Sequence, residues 1–221
     1  LNNQGVLVLD YPRALETFRE HGARVEEDLV RIDEDTLMHF IQQAPANFTQ
    51  LARNQDNNVN IGGNSMVFAP VYGPPFVSDL DGGRRQATIE DFHNFVRLAF
   101  MCPHIHHSGG TLVEPNDINV RERHLDMLLA HMTLSNKAFM GSVTHADNAR
   151  DTVSMARILF GAEEIVKQPA VISLINASSP FRFDHRMLGA LEVYALARQA
   201  VIVTPFLIAG AMSPSSVAAT L

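Results

Sequence analysis

Residues 138–175 read AFMGSVTHADNARDTVSMARILFGAEEIVKQPAVISLI, and this stretch decides the fold. Two short apolar runs, Ala138 to Val143 and Ala170 to Ile175, bracket a segment from Ala146 to Phe160 with helical apolar spacing and a stop at Gly161. Strand, helix, strand in that order is a βαβ unit. The rhythm extends in both directions, with apolar runs beginning near Ile105, Ala138, Ala170 and Val201, each about 32 residues after the last. Ile105 to Val113 reads as the first strand, followed by a helix from Arg121 to Leu134. The third strand leads into a helix from about His185 to Gln199 and a fourth strand from Val201 to Ile208. Apolar and polar residues scarcely alternate along these runs, as expected of a parallel sheet buried on both faces.

Consecutive βα units predict an α/β fold, and four in series predict a TIM (β/α)8 barrel present as its N-terminal half. An open doubly wound sheet is the rival. The phosphate fingerprints that would favour it, G-x-G-x-x-G and G-x-x-x-x-G-K-[ST], are absent from the sequence. Leu1 runs almost at once into Val6-Leu7-Val8-Leu9, and Ser213-Pro214-Ser215-Ser216-Val217 reads as the opening of another helix. The expectation is therefore a fragment of a longer barrel protein, with a complete small α/β domain as the alternative. Residues 104–221 are assigned to the barrel, and residues 1–103 to a helical and β-rich extension packing on it.

Within the extension, the first fifty residues read as helical. Asp10-Tyr11-Pro12 starts one helix that carries Leu15 and Phe18 and ends at Gly22. A second starts at Asp33 or Asp35 and stops before Pro45. Short strands and turns are expected over residues 47–80, with apolar pieces at Val59–Ile61, Met66–Val71 and Phe76–Val77. Thr88 and Asp91 form a capping box for a helix whose apolar face is Phe92, Phe95, Val96, Ala99 and Phe100.

The net charge of −7 and the scattered basic residues argue against nucleic acid as a partner. Cys102 is the single cysteine, so neither a disulfide framework nor a cysteine zinc cluster is available, and a reducing cytoplasm fits. No run approaches the ~20 apolar residues of a membrane span. 

In a parallel βα fold the residues that carry chemistry sit where each strand gives way to its loop. Here these are Ser108 to Thr111 with Glu114, then Ser142, Thr144 and His145, then Asn176, Ser178, Ser179, Phe181, Arg182 and Phe183, then Gly210, Met212 and Ser213. The cluster His104, His106 and His107 could supply two metal ligands with His145 as a third, but no carboxylate spacing completes a zinc site, and the preferred reading is His104 in a loop with His106 and His107 as hydrogen-bonded barrel residues. His39, His124 and His131 fall within helices and read as solvated. No G-x-S-x-G elbow is present. Lys137 opens a strand, at the inactive end. Aromatic residues are the more telling group: Phe181 and Phe183 in a post-strand loop, Phe206 in a strand, and Tyr72 in a Gly/Pro-rich segment could offer faces to a quaternary ammonium.

Several segments, in order, resemble the trimethylamine methyltransferase family: Leu1-Asn2-Asn3-Gln4-Gly5-Val6, His21-Gly22-Ala23-Arg24-Val25 and Ala44-Pro45-Ala46-Asn47-Phe48. So do Asp79 through Asp91, Ser135-Asn136-Lys137, Asn176 to Phe181, and Pro205 to Pro214. The resemblance runs the length of the chain. It implies a TIM barrel that moves a methyl group from a methylated amine, such as trimethylamine or glycine betaine, to the cobalamin of a separate corrinoid protein, in methanogenesis-like one-carbon metabolism. It implies no tightly bound cofactor, and it leaves a homo-oligomer open. Founding members carry pyrrolysine at a position that would lie beyond Leu221, and relatives without it include enzymes for quaternary amines. The residues expected to bind substrate are Tyr72, His107, His145, Asn176, Phe181, Arg182 and Phe183, with His107, His145 or Arg182 meeting any substrate carboxylate. A non-catalytic barrel binding a betaine-like ligand, and a metal-dependent hydrolase using His104 to His107, are the alternatives.

Overall fold

The computed structural model describes residues 1–178 and 181–205. The chain opens with strand β1 (Val6–Leu9), helix α1 (Pro12–Glu20) and the hairpin β2 (Arg24–Glu26) and β3 (Leu29–Arg31). Helix α2 (Glu34–Ile41) leads to β4 (Asn47–Gln50), paired antiparallel with β5 (Val59–Gly62). A further hairpin, β6 (Phe76–Asp79) and β7 (Gly83–Gln86), precedes helix α3 (Ile89–Met101). Then come α4 (Arg123–Leu134), β8 (Phe139–Met140), α5 (Ala146–Phe160), the single turn α6 (Glu164–Lys167), β9 (Val171–Ala177), β10 (Arg182–Asp184), α7 (His185–Leu196) and β11 (Ala200–Pro205).

β8, β9 and β11 lie side by side and parallel, with Phe139 opposite Val171 and Ile172 opposite Ala200. Beyond β8 the chain around His107 pairs parallel with Ala138 through a single bridge. It is flanked by Ser108 N–H to Ala138 O (2.8 Å) and Met140 N–H to Gly109 O (2.8 Å). The expected run of parallel βα units is therefore present, and the fold is α/β. Its first strand is much shorter than the predicted Ile105–Val113. Gly109 takes φ +89° and Leu112 N–H turns back to Gly110 O (3.0 Å), so the chain leaves the ladder at the glycine pair. β8 is cut short in a similar way: Gly141 N–H still reaches Ile172 O (3.0 Å), but Ser142 N–H turns to Thr152 Oγ1 of α5 (3.3 Å). The fourth strand is described to Pro205; Ser179, Phe206, Gly210, Met212 and Ser213 lie outside the described residues.

One face of this sheet packs on helices. Phe139, Val143, Val171 and Ile175 form a core with Val153, Ala156, Ala190 and Tyr194 from α5 and α7. The Tyr194 hydroxyl, buried and held up to about 12, donates to Ser142 O (2.6 Å). Because strand side chains alternate, Met140, Ile172, Leu174, Asn176, Ile202 and Thr204 share the opposite face.

The first fifty residues are not helical throughout, since they also contain β1 to β4. In β1, Val6 and Val8 are buried while Leu7 and Leu9 are partly so, a two-residue period that marks a strand. α1 starts without a side-chain cap: Asp10 sits at φ +56°, Tyr11 occupies the cap position, and Pro12 carries the start through its fixed φ. α2 takes Asp33, the first of its two expected starts, as its cap, Asp33 Oδ1 accepting from Thr36 N–H (2.9 Å). Met66 to Val71 forms no strand. The Thr88–Asp91 capping box is present, and Arg85 binds the Asp91 carboxylate through both terminal nitrogens (2.6 and 2.7 Å).

Arg182 and Phe183, expected in a loop, belong to β10. It runs parallel to β1, with Leu7 opposite Arg182 and Val8 opposite Phe183, in a sheet ordered β10-β1-β3-β2. The chain leaving β9 is thereby stitched to the N-terminal sheet. Lys137 closes another seam: its Nζ donates to the carbonyls of Ala99 (2.8 Å), Cys102 (2.8 Å) and Ile105 (2.6 Å), satisfying groups at and beyond the end of α3.

Candidate active site at the strand ends

Parallel strands bring their C-terminal ends to one side, here Gly109 to Thr111, Gly141 to His145, Asn176 and Thr204. On the face away from the helices, side chains grow more polar toward that end. Ile172 gives way to Leu174 and Ile202, and these to Asn176 and Thr204. Thr204 Oγ1 donates to Asn176 Oδ1 (2.5 Å). The Asn176 amide N–H groups have no acceptor among the described residues.

Tyr72 covers the end of the first strand. Gly73 N–H bonds Thr111 O (2.6 Å), and a Cβ on Gly110 would lie 2.8 Å from Tyr72 Cε2 and 2.9 Å from Met140 Cβ. Only glycine lets the ring come this close. Burial raises the Tyr72 pKa, a bond with Thr111 opposes the rise, and the Glu114 charge adds to it.

Two histidines hold the glycine pair in place. Gly109 N–H donates to His107 Nδ1 (2.9 Å), and His107 Nε2–H donates to Gln50 Oε1 (3.2 Å). Gln50 Nε2 in turn donates to Phe139 O (2.8 Å). His131 Nε2–H donates to Gly110 O (2.8 Å) while its Nδ1 accepts from Ser108 Oγ (2.7 Å). Burial lowers the pKa of His107 to about 3, helped by the nearby His131, and that of His131 to about 4. Both rings are neutral. His107, expected to meet substrate, has both nitrogens engaged inside the protein and acts on the strand end. His124 and His131, expected on a solvated helix face, are buried. They share one side of α4 with Met127 and Leu128, a helical spacing already present in the sequence.

A cleft of about 560 Å³ opens at the same side, between the N-terminal ends of α4 and α5. It is lined by the strand-end residues Thr111, Glu114, Ser142, Thr144 and His145, and by Arg121, Arg123, His124 and Asp151, which sequence reasoning missed as site residues. His145 caps α5, its Nδ1 accepting from Asp147 N–H (3.2 Å). Arg123 binds Glu114 (2.9 Å).

Phe181 occupies the turn leaving β9, at φ +48°, a conformation that costs about 1 kcal/mol or more for a residue with a side chain. Ser178 and Arg182 exchange two backbone bonds (2.8 Å each), and Leu7 N–H donates to Phe181 O (2.9 Å), so the backbone is pinned while the ring stays half exposed. Arg182 is exposed. Phe183 packs between the two hydrophobic clusters that join the sheets. Tyr72, His145 and Asn176 thus lie on the strand-end side, Phe181 and Arg182 in the turn leaving β9, and His107 and Phe183 inside.

The histidine cluster does not converge. His106 stacks on Phe68 and accepts its N–H at Nδ1 (3.0 Å), whereas His107 faces Gln50. Among the described residues, no group of three or more His, Cys, Asp or Glu side chains is placed to hold a metal ion.

Residues 1–221 match the family described as Trimethylamine methyltransferase (MTTB). The chain belongs to this family. It is 46% identical over 213 residues to the glycine betaine methyltransferase of Desulfitobacterium hafniense (strain Y51), a match covering 96% of this chain and 44% of that protein. Two proteins of Eubacterium limosum are more distant: a proline betaine:corrinoid methyltransferase (24% over 187 residues, 81% of this chain and 38% of that protein) and an L-carnitine:corrinoid methyltransferase (27% over 179 residues, 74% and 36%). The chain spans less than half the length of these relatives. Among solved structures, the hydroxylamine complex of MtmB is similar in fold, with a TM-score of 0.55 at 13% identity, covering 96% of this chain and 49% of that one.

Proposed function

We propose that this protein transfers a methyl group from a quaternary amine of the betaine type to a corrinoid protein, and that its parallel units form half of a (β/α)8 barrel preceded by the extension of residues 1–103. The observation that carries the reading is the 46% identity with a glycine betaine methyltransferase across nearly the whole chain. The partner's corrinoid supplies the nucleophile and accepts the methyl group. When the N–CH3 bond of a quaternary ammonium breaks, the electron pair stays on nitrogen and a neutral tertiary amine leaves, so no general acid is required. The work left to this chain is to bind a cation, aim one methyl and exclude water. Tyr72 offers a ring face, Asn176 amide N–H groups, and Phe181 an exposed ring on a pinned backbone. His145 and Arg182 border them.

A cytoplasmic location, with neither nucleic acid nor membrane as partner, belongs to the same reading; no helix among the described residues is long and apolar enough to cross a membrane. The test mixes the protein with cob(I)alamin and glycine betaine, proline betaine, carnitine or trimethylamine in turn. A methylcobalamin spectrum without added metal supports the reading. Thermal stabilisation by these amines without transfer would replace it with a binding barrel, and activity lost to a chelator and restored by zinc would point to a hydrolase.

A further inference from the structure

A betaine carries a carboxylate as well as a fixed cation; of the donors expected to meet it, His107 is spent inside the protein, and His145 and Arg182 are exposed at the border. Resting on the reading above, we propose that the cleft between the N-terminal ends of α4 and α5 is the carboxylate subsite, with His124 as its principal donor and Arg121 beside it.

His124 is 7% exposed and lines the cleft. Its Nε2 lies 2.9 Å from Asp151 Oδ2, which fixes a proton on that nitrogen and the orientation of the ring. Its Nδ1 is buried and has no hydrogen-bond partner in the protein. Buried polar atoms are nearly always paired, and an orphan beside a cleft calls for a ligand. A proton bound together with the anion would place an N–H at Nδ1, with Asp151 at Nε2 to balance the ring.

The charges around the cleft favour the same ligand. Two of the carboxylates lining it are paired with arginines, Glu114 with Arg123 and Asp147 with Arg150, and Asp151 is bonded by His124. Arg121 has no carboxylate partner among the described residues, which leaves one guanidinium of the lining for an anion. Beneath lies a cavity of about 30 Å³ bordered by Thr111, His124 and Ser142. That is room for one water between the buried ring and the cleft. Thr111, which bonds the backbone of Gly73 next to Tyr72, joins the cleft to the aromatic side. A zwitterion would lie with its ammonium toward Tyr72 and its carboxylate toward His124.

The probe for the subsite alone is acetate, titrated into the intact protein while the ring nitrogens of His124 are followed by 15N NMR. A saturable shift of Nδ1 toward the protonated form is expected, competed by glycine betaine and not by tetramethylammonium; no saturable response to acetate or glycine betaine overturns the proposal. In His124→Gln, affinity for glycine betaine should fall roughly ten- to hundredfold, the loss expected of one charge-assisted hydrogen bond, while tetramethylammonium binds as before. Equal losses for both ligands, or an unchanged affinity for glycine betaine, would also overturn it. If acetate shifts His124 but no quaternary amine methylates cob(I)alamin, the subsite stands and the methyl-transfer reading falls. Methyl transfer with a silent His124 means the reverse.

Discussion

Acidification from pH 7 to pH 5 should destabilise this fold by about 4 kcal/mol through two side chains, His107 and His131. Each ring spends both nitrogens inside the protein as the neutral tautomer. Protonating His107 would set a new N–H against the Gly109 N–H it now accepts. Folding lowers both pKa values, to about 3 and about 4, from an unfolded value near 6.5. The unfolded chain therefore takes up protons below pH 6.5 that the folded chain refuses. The stability tied to these rings is complete above that pH, is lost as pH falls, and levels off only near the folded values. At pH 5 the unfolded state gains about 2 kcal/mol per ring, against a total stability of about 5–15 kcal/mol for a typical domain. Asp33, Glu90, Asp91 and Asp184, whose pKa values are lowered, titrate further down and leave the range from 6.5 to 5 to histidine. Urea unfolding followed by far-UV circular dichroism at pH 7, 6 and 5 measures the effect. His107→Gln should remove close to one proton from the slope. A flat profile between pH 7 and 5, or an unchanged slope in that variant, would refute the assignment of buried neutral rings.

The same geometry supports other expectations. Gly110→Ala forces a methyl group onto Tyr72 and Met140, so it should cost about 1–3 kcal/mol by overpacking and raise KM for a quaternary amine several-fold; an unchanged KM in a folded variant would remove Tyr72 from the site. Gln199 accepts from Ala170 and Val171 N–H and donates to Ile165 and Ala197 O, all at the start of β9 or around the helix ends below it. Gln199→Leu strands these groups and should cost about 3 kcal/mol or more in denaturant unfolding, and a loss under about 1 kcal/mol would show that water replaces the amide. Phe181→Ala and Phe183→Ala should separate: the first weakens quaternary-amine binding by about 1–2 kcal/mol with little loss of stability, and the second costs about 3–5 kcal/mol of stability. Calorimetric binding and thermal melts on the pair decide this, and similar effects from both would contradict their placement.

What could be read from the sequence is what depends on near neighbours. The Thr88–Asp91 box, the Asp33 cap and the Gly161 stop are contacts within a turn of chain, and all three appear in the structure. Strand extent is another matter, because it is fixed by partners. The run from Ile105 to Val113 is apolar enough to be a strand, yet its pairing ends where Gly109 takes a positive φ. β10 was beyond reach for the same reason: nothing near Arg182 announces that its ladder partner is Leu7, at the other end of the chain. His131 was misread because a histidine counts as polar in a periodicity, although its place in the row His124, Met127, Leu128, His131 puts it on the buried side of α4.

The candidate site divides along the same line. Thr111, Glu114, Ser142, Thr144 and His145 were found by position alone, since a residue following a parallel strand must reach the strand-end side whatever its chemistry. Ranking by chemistry did less well. Phe181 and Phe183 are the same residue type two positions apart, and the turn that closes between Ser178 and Arg182 leaves one ring half exposed and sends the other into the core. His107 and His145 were equally attractive as donors, and only the first is enclosed by Gln50 and Gly109. Position along a strand is dictated by the repeat and so is written in the sequence. Which face a side chain takes after the strand ends depends on turn geometry and on what the turn docks against, here β1. Residues at strand ends are therefore the firmer guide to this site, and the aromatic count around it becomes informative only once β10 is paired.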